Sequence, residues 1–470
     1  MLNLSGHMNW DRLLNRADKN SLRAARGNDA TEKVTSRFSG GRASIFWLLD
    51  VLHGSPVHKH LSDIVEFHRI REFGERAQNV RTRLKNILEI ACRKTEYYKA
   101  YSSVDGLSNF PVVNKTTIRR NPGAFVSSSY SKRDLIPAVT SGSTGTPFIT
   151  YQSKGKKSRN VADTLYLAHL GGYELGNRLF YFKIWSDLNR KSAATQVMQN
   201  IVPIDVINLK ANVGQVVDQL NKSRSSVCIL GYVSALETLF RELEDSNRLN
   251  PAVRVNSIIT MSEALNDYTK EAGERLLGCP VLSRYSNIEN GIIAQQTFVE
   301  RSNLVINSAS YFVEILKMEN DEVLPNGSLG RIVVTDFFND AMPMIRYDTG
   351  DLGVLEDIES AGSHLTVLTR VEGRKLDQIF DTKGNLVSSY VVYKNMWKYT
   401  EIEQYQLIQK SAGEYLFKIS MPNKFERERE LVDEFKSYLG RDAEFRVEYV
   451  QEIPVLASGK RQKVVNEVAS

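Results

Sequence analysis

The sequence has few cysteines, and that scarcity removes two classes of protein. Its 470 residues include three cysteines, at positions 92, 228 and 279, which stand far apart. Cysteines spaced so widely form neither a disulfide framework nor the paired C-x-x-C clips of a zinc site. The seven histidines are dispersed too, without the i, i+4 spacing and companion glutamate of a zinc helix. We therefore expect neither a disulfide-stapled protein nor a zinc protein.

Long apolar runs and a strong excess of one charge are also missing. The apolar run at residues 43–49 ends at Asp50, far short of the ~20 residues that cross a membrane, and no signal-peptide pattern is evident. Lys+Arg of 61 against Asp+Glu of 55 leaves a net charge of +6, a weak field that does not indicate a nucleic-acid-binding surface. We expect a cytoplasmic protein that binds small molecules, without nucleic acid or a membrane span.

The common motifs of covalent and phosphoryl-transfer catalysis are absent as well. The chain has no G-x-S-x-G nucleophile elbow and no credible Ser–His–Asp or Cys–His set. It also lacks the G-x-x-x-x-G-K-[ST] motif of P-loop proteins. The chain therefore offers no motif for covalent catalysis by a side-chain nucleophile.

The length predicts two or three compact units, at roughly 100–200 residues per domain. Residues 1–42 are rich in Arg, Asn, Ser and Gly without sustained periodicity, which predicts a flexible N-terminal arm. Apolar residues from Ile64 to Tyr98 recur at helical spacing and predict one long amphipathic helix. Helical stretches then alternate with short β-like runs, so residues 43–372 are predicted to form a large α/β domain. Residues 373–470 predict a small, mobile α+β domain.

A loop dense in Gly, Ser and Thr, Thr140–Pro147, joins two β-like runs. Glycines allow backbone N–H groups to approach a polyanion, and hydroxyls add further donors, so such a loop can wrap phosphates. By composition alone an ordinary surface linker fits equally well.

Five more segments follow this loop in a telling order: Met261–Leu265, Tyr285–Glu289, Arg346–Gly353, Gly373–Asp377 and Leu456–Lys460. With the loop, they resemble the adenylate-forming ligase superfamily, in particular its phenylacetate–CoA ligase-like and CapK-like branch. The resemblance extends from about Asn79 to the end of the chain. It implies a large multi-layer N-terminal adenylation domain and a small C-terminal lid domain.

The resemblance also implies roles for individual residues. The loop would bind ATP phosphates through Ser141, Gly142, Ser143, Thr144 and Gly145, with Thr144 taking part in catalysis. Residues of the later segments would border the adenine, stack on the base, accept the ribose hydroxyls and face the ribose or phosphate: Glu263 and Ala264, Tyr285, Asp351 and Arg374, respectively. Glu289 would support a magnesium ion, and Lys460 would bridge the carboxylate and the α-phosphate during catalysis.

Bland alternatives stand beside some of these roles. Ser262 is a candidate helix N-cap, and Tyr285 with Glu289 fits an ordinary strand end. The chain also departs from the family pattern at four positions, listed here: Thr146, Ser286, Ile288 and Leu376. Because Leu376 replaces an aspartate of the interdomain hinge, the second half-reaction stays open.

The sequence thus predicts an ATP- and magnesium-dependent ligase that converts a carboxylic acid into an acyl-adenylate. The acyl group would then pass to the thiol of CoA or to an amine, with a possible setting in polysaccharide biosynthesis. The acid pocket is expected between Gly172 and Ile293, with Leu230–Ala235 as one wall. The alternative hypothesis is a catalytically retired nucleotide-binding or regulatory protein of the same fold. The sequence leaves the oligomeric state open.

Overall fold

The computed structural model describes residues 41–70, 72–101, 106–140, 148–185, 190–207, 209–360, 363–374, 379–387, 392, 395–396, 398–399, 401–421, 423–454 and 463–468. The predicted arm therefore lies outside these residues, except for Gly41 and Arg42, which open the first helix. None of the helices described is long and apolar enough to cross a membrane.

Three helices begin the described chain: α1 (Gly41–Leu52), α2 (Pro56–Arg69) and α3 (Phe73–Lys94). The prediction of one long helix from Ile64 to Tyr98 is wrong. Ile70 has ψ of 112°, an extended backbone that ends α2, and the apolar spacing resumes in α3. Apolar periodicity reports which face is buried, and it continues across a break when two helices pack on the same core.

A small hairpin and two helices follow. Helix α4 (Lys115–Arg120) begins where the side chain of Asn114 accepts a hydrogen bond from the backbone N–H of Thr117, an N-cap that satisfies one free donor of the first turn. Strands β1 (Ile136–Thr140) and β2 (Phe148–Gln152) pair antiparallel. Helix α5 (Lys154–Leu170) comes next.

An eleven-stranded mixed sheet forms the centre of the large body. Its strands are β3 (Arg178–Lys183), β4 (Ile201–Asp205), β5 (Val227–Tyr232), β6 (Val255–Met261), β7 (Val281–Asn287), β8 (Gly291–Gln295), β9 (Leu304–Ile306), β10 (Tyr311–Leu316), β11 (Leu329–Asp336), β12 (Tyr347–Ser360) and β13 (Ser363–Arg374). Their order in the sheet is β10-β11-β12-β13-β9-β8-β7-β6-β5-β3-β4. The α/β architecture is confirmed.

The sheet has two halves with different connections. Strands β4, β3, β5, β6 and β7 pair parallel, and helices connect them: α6 (Ala193–Gln199), α7 (Leu209–Asn221), α8 (Val233–Ser246) and α9 (Asp267–Leu277). Strands β8 to β13 pair antiparallel. Helices α7, α8 and α9 bury their apolar faces on the parallel half, which explains the continuous apolar runs of its strands.

The C-terminal part has a sheet and an apolar core of its own. Its elements are β14 (Ile379–Phe380), β15 (Leu386–Val387), β16 (Gln404–Ser411), β17 (Glu414–Ser420), α10 (Glu428–Leu439), β18 (Glu444–Tyr449) and β19 (Val464–Asn466). Four of the strands form a sheet in the order β18-β17-β16-β19. Phe417, Leu431 and Phe435 are fully buried in the core between this sheet and α10. The separate core is consistent with the predicted domain at residues 373–470, whose boundaries stay a prediction.

Candidate active site

Two residues from distant strands of the large sheet meet at its edge. The Tyr285 hydroxyl, at the end of β7, donates a hydrogen bond to Asp351 Oδ2 at 2.7 Å and lies 3.1 Å from Thr349 Oγ1. Burial and the nearby Asp351 carboxylate raise the pKa of Tyr285 well above its ordinary value, so the phenol stays protonated and donates. The structure therefore brings together the tyrosine and the aspartate that the sequence assigned to the base and the ribose.

The turn between β7 and β8 adds a buried carboxylate. Glu289 is 1% exposed, and its Oε1 lies 2.8 Å from Lys115 Nζ and accepts a hydrogen bond from the Tyr347 hydroxyl at 3.1 Å. Burial and Glu289 raise the pKa of Tyr347 well above its usual range. A buried carboxylate is stable only with partners. Lys115 neutralises the charge of Glu289, and the Tyr347 hydroxyl donates a hydrogen bond to it.

Lys115 contacts both Glu289 and Phe148, and it therefore links this carboxylate to the paired ends of β1 and β2. Thr140 is the register partner of Phe148, and residues 141–147 between them, with the predicted phosphate contacts Ser141, Gly142, Ser143, Thr144 and Gly145, lie outside the described residues. The Phe148 ring centroid lies 5.7 Å from Lys115 Nζ and 5.6 Å from the Arg119 guanidinium carbon. Two cations one helical turn apart thus lie near Phe148, the first residue of β2.

The turn after β6 holds the two residues predicted to border the adenine. Ser262 has φ of 69°, the left-handed region that a non-glycine residue rarely adopts. Both carboxylate oxygens of Glu263 bind Ser234 in the first turn of α8, at 2.7 Å to its N–H and 3.0 Å to its hydroxyl. The negative charge thus lies at the positive end of a helix, while Ala264 is exposed. The alternative of Ser262 as an N-cap is wrong, because Asn266 caps the next helix, α9.

The remaining predicted residues lie at the entrance to the C-terminal part. Arg374 is the register partner of Asp351 across β12 and β13, so its backbone lies beside the predicted ribose carboxylate. Lys460 lies outside the described residues. Lys463, three positions later, has its Nζ 5.0 Å from the Tyr405 ring centroid.

Lys463 also connects the C-terminal part to the turn after β6. Burial alone would lower the pKa of Lys463, but Tyr405, Glu237 and Glu263 together raise it above its ordinary value. A second contact, at 2.9 Å, joins Lys210 Nζ to Glu403 Oε2. The C-terminal part therefore contacts the large body through the Lys210–Glu403 pair, and the charge of Lys463 lies within electrostatic reach of Glu263 in the predicted adenine turn.

Magnesium fits this site only in the company of other ligands. Within the described parts of the chain, no group of three or more His, Cys, Asp or Glu residues is arranged to hold a metal ion. Glu289 Oε1 is already engaged by Lys115 and Tyr347, which leaves Oε2 as the oxygen available to an ion. One carboxylate oxygen suits magnesium that keeps water and takes its other ligands from phosphates.

Sequence reasoning missed the partners that hold these predicted groups. Lys115 and Tyr347 were not assigned roles, although each lies in a segment that resembles the family. Arg284, one position before Tyr285, was also missed. The sequence could have indicated these residues only by their position in or beside the family-like segments. Their contacts depend on the order of the strands in the sheet.

Comparisons with known proteins agree with this architecture. The profile of the CapK C-terminal domain family matches residues 379–467. The protein CapK of Staphylococcus aureus is 22% identical over 431 residues, covering 86% of this chain and 92% of CapK. A phenylacetate-coenzyme A ligase of Pseudomonas putida is 28% identical over 120 residues, covering 25% of this chain and 27% of the ligase.

A solved structure supports the same fold. The crystal structure of 2-hydroxyisobutyryl-CoA ligase, in the postadenylation state with 2-HIB-AMP, superposes with a TM-score of 0.66 at 17% identity, covering 84% of this chain and 90% of the ligase. The fold is that of adenylate-forming ligases. Together with the match to CapK along most of the chain, this fold supports the resemblance to the phenylacetate–CoA ligase-like and CapK-like branch.

Proposed function

We propose that the protein activates a carboxylic acid with ATP, forms an acyl-adenylate and then transfers the acyl group to the thiol of CoA or to an amine. The convergence of Tyr285, Asp351 and Glu289 at one edge of the sheet is the observation that carries the proposal. Ligands of open α/β sheets bind outside the carboxyl ends of the parallel strands, which is where Tyr285 lies. The proteins that share the fold include ligases of this type.

The chain's own residues would hold the nucleotide at three points. Asp351 would accept hydrogen bonds from the ribose hydroxyls, with its carboxylate oriented by the Tyr285 hydroxyl at 2.7 Å. The Tyr285 ring would lie against the adenine, near the turn of Glu263 and Ala264. A bidentate acceptor that is fixed beforehand costs little reorganisation when the ribose binds.

The phosphates would lie between the Thr140–Pro147 loop and the buried carboxylate. Lys115 would donate to them, because its side chain is 33% exposed and its Nζ lies beside Glu289. Magnesium, held by Glu289 and phosphate oxygens, would supply positive charge for the departing pyrophosphate. Lys460 would neutralise the two anions that meet when the carboxylate attacks the α-phosphorus. Positioning and electrostatics suffice for this step, and no side-chain nucleophile is required.

Transfer of the acyl group would follow a movement of the C-terminal part. The contact of Lys210 with Glu403 is an exposed ion pair of the kind that contributes little stability. Such contacts suit an interface that must re-form. The resemblance to the CapK-like branch extends the proposal to an acceptor in polysaccharide biosynthesis.

Pyrophosphate release across a panel of carboxylic acids, with ATP and magnesium, tests the proposal. We expect release that depends on the acid, and acyl transfer when CoA or an amine is added. Each acid is measured with and without CoA, so that adenylation and transfer are separated. If no acid supports pyrophosphate release or ATP–pyrophosphate exchange while ATP still binds, the retired nucleotide-binding protein is the correct account.

A further inference from the structure

A second group of charged and aromatic residues surrounds the carboxyl ends of the parallel strands, next to the nucleotide site. Tyr181 and Lys183 end β3, and Trp185 follows them with 6% of its surface exposed. Tyr232 ends β5. Since four neighbouring parallel strands end here, this edge is the natural place for the acid.

Strand register places an arginine in the same row. Tyr232 pairs with Met261, Met261 with Arg284, and Arg284 with Gln295. Residues paired across neighbouring strands lie on the same face of a sheet. The Tyr181 hydroxyl, 4.0 Å from Met261 Sδ, closes this row from the side of β3.

Within the described part of the chain, Arg284 is a buried cation without an acidic partner. Its exposure is 8%, and its Nε donates to the amide oxygen of Gln295 at 2.7 Å. Among the ion pairs of the described residues, none includes Arg284. Burial lowers the pKa of Arg284 to about 10, while Tyr181 acts to raise it. Arginines are almost never buried unless they are paired, so this one calls for an anion.

Two lysines add to the positive charge on this side of the sheet. Lys183 Nζ lies 4.4 Å from the Trp185 ring centroid and 5.2 Å from that of Tyr181, and Lys191 binds the side-chain oxygen of Gln199. Burial lowers the pKa of Lys183, and the charge of Lys191 lowers it further. Among the ion pairs of the described residues, none includes Lys183 or Lys191, and Asp205, the register partner of Lys183, accepts a hydrogen bond from the Ile207 N–H. A cation whose pKa is lowered by burial and by a neighbouring cation is stabilised by an anion.

The position of Arg284 separates it from the nucleotide. Neighbouring residues on a strand point to opposite faces, and Tyr285 points to Asp351. Arg284 therefore lies on the face away from the predicted ribose contact. The proposed function places the ribose at Asp351 and the ATP phosphates beside Lys115 and Glu289, so the anion at Arg284 is assigned to the acid.

Building on the proposed function, we propose that the substrate is a carboxylic acid that carries a second anionic group, and that Arg284 binds this group. Lys183 provides additional positive charge, and Tyr181, Trp185 and Tyr232 form walls for the carbon skeleton. One carboxylate reacts with ATP while the second anion fixes the opposite end of the acid. A planar guanidinium suits a carboxylate because it donates two parallel hydrogen bonds.

Matched pairs of acids test this inference. Each dicarboxylic acid, such as succinate, glutarate or isophthalate, is compared with its monoamide, which keeps the shape and loses one charge. We expect the dicarboxylate of the best pair to have a kcat/KM for pyrophosphate release about 10- to 100-fold higher. Arg284→Gln should remove that preference, raise KM for the dicarboxylate and leave KM for ATP unchanged.

Three variants control the measurement. Arg301→Gln removes an arginine of the same body that pairs with Glu274 at its surface, and it should change nothing. Lys183→Met, which keeps the carbon stem, should weaken the preference and replaces Arg284→Gln if that variant does not fold. Asp187→Asn tests whether Arg284 already has an acidic partner, because Asp187 lies outside the described residues. If only Asp187→Asn prefers dicarboxylates, the wild-type Arg284 does not bind the second anion and the inference is wrong.

The outcomes separate this inference from the proposed function. Equal rates for dicarboxylates and monoamides contradict the second anionic group alone, since adenylation then still occurs. An Arg284→Gln variant that raises KM for ATP also contradicts it, because Arg284 would then serve the nucleotide. If no acid releases pyrophosphate, the proposed function fails and this inference fails with it.

Discussion

The Tyr285 hydroxyl and Asp351 Oδ2 lie 2.7 Å apart although their strands, β7 and β12, are four positions apart in the sheet. In a flat sheet with strands about 4.8 Å apart, the backbones of the two residues would lie about 19 Å from each other. The sheet therefore curls strongly between these strands, as long sheets tend to do. This curl brings Tyr285 and Asp351, the residues predicted for the base and the ribose, into contact.

Asp351 should discriminate between ribose and deoxyribose. In the wild-type protein, we expect kcat/KM for ATP to exceed that for 2′-deoxy-ATP by roughly 10-fold, because a hydrogen bond to a charged group contributes about 1.5–3 kcal/mol. Asp351→Asn should lower kcat/KM for ATP by about 10- to 100-fold and shrink the preference for ATP. Tyr268→Phe, which removes a phenol bound to Glu244 on distant helices, is the control. A preference for ATP that survives in Asp351→Asn would assign the ribose to another residue.

Lys115 and Glu289 should be strongly coupled in stability. Lys115→Met leaves a carboxylate with 2% side-chain exposure without its cation, so we expect a loss of about 1–3 kcal/mol in the free energy of unfolding. Adding Glu289→Gln should restore much of that loss, because no buried charge then remains. Urea unfolding of the two single variants and the double variant measures the coupling energy.

The pair Lys317 and Glu322, which is exposed on the surface, gives the matched cycle. Its coupling energy should stay below about 1 kcal/mol. Additive effects of Lys115→Met and Glu289→Gln would contradict the contact. Glu289→Gln should also raise the magnesium concentration needed for half-maximal pyrophosphate release, because it removes the carboxylate proposed to hold the ion.

His68 should make the protein less stable in mild acid. Its ring stacks on Tyr166 with centroids 5.0 Å apart, and burial, followed by the charges of Arg76, Arg159 and Arg83, lowers the pKa of His68 from 6.5 to about 3. Between these two values the unfolded chain binds a proton that the folded chain does not. Stability is therefore fully present above pH 6.5 and falls as the pH decreases toward 3.

The size of this effect can be isolated with one variant. Because His68 retains some exposure, we expect about 1–2 kcal/mol of the free energy of unfolding to be lost between pH 7 and pH 5. His68→Phe keeps a ring against Tyr166 and should lose less over the same range. Urea midpoints at both pH values give the comparison, and equal losses in the two proteins would show that folding does not lower the pKa of His68.

Local patterns predicted much of the fold. Strands β5, β6 and β7 alternate with helices α8 and α9, as the sequence predicts for residues 43–372. Each is bounded by residues whose preferences act within a few positions, so one sequence suffices. The long hairpin of β12 and β13 was missed beyond the Arg346–Gly353 motif, because Glu356, Asp357 and Glu359 interrupt its apolar alternation.

The candidate site was predictable only in part. Tyr285, Glu289 and Asp351 were singled out because they lie in motifs; the structure brings Tyr285 and Asp351 into contact, and the roles of all three stay predictions. Lys115 and Arg284 were missed because an isolated lysine or arginine in a sequence is usually interpreted as solvent-exposed. Their burial and their partners follow from strand order, register and the curl of the sheet, which nearest-neighbour patterns do not encode.

ATP–pyrophosphate exchange in the wild-type protein and in Lys460→Ala tests the central claim most directly. With an acid that the panel identifies, the wild-type protein should catalyse exchange that depends on that acid. Lys460→Ala should abolish exchange while its circular dichroism spectrum and its urea midpoint stay unchanged. Unchanged exchange in Lys460→Ala would contradict the role of this lysine, and the lack of acid-dependent exchange in the wild-type protein would contradict acyl-adenylation itself.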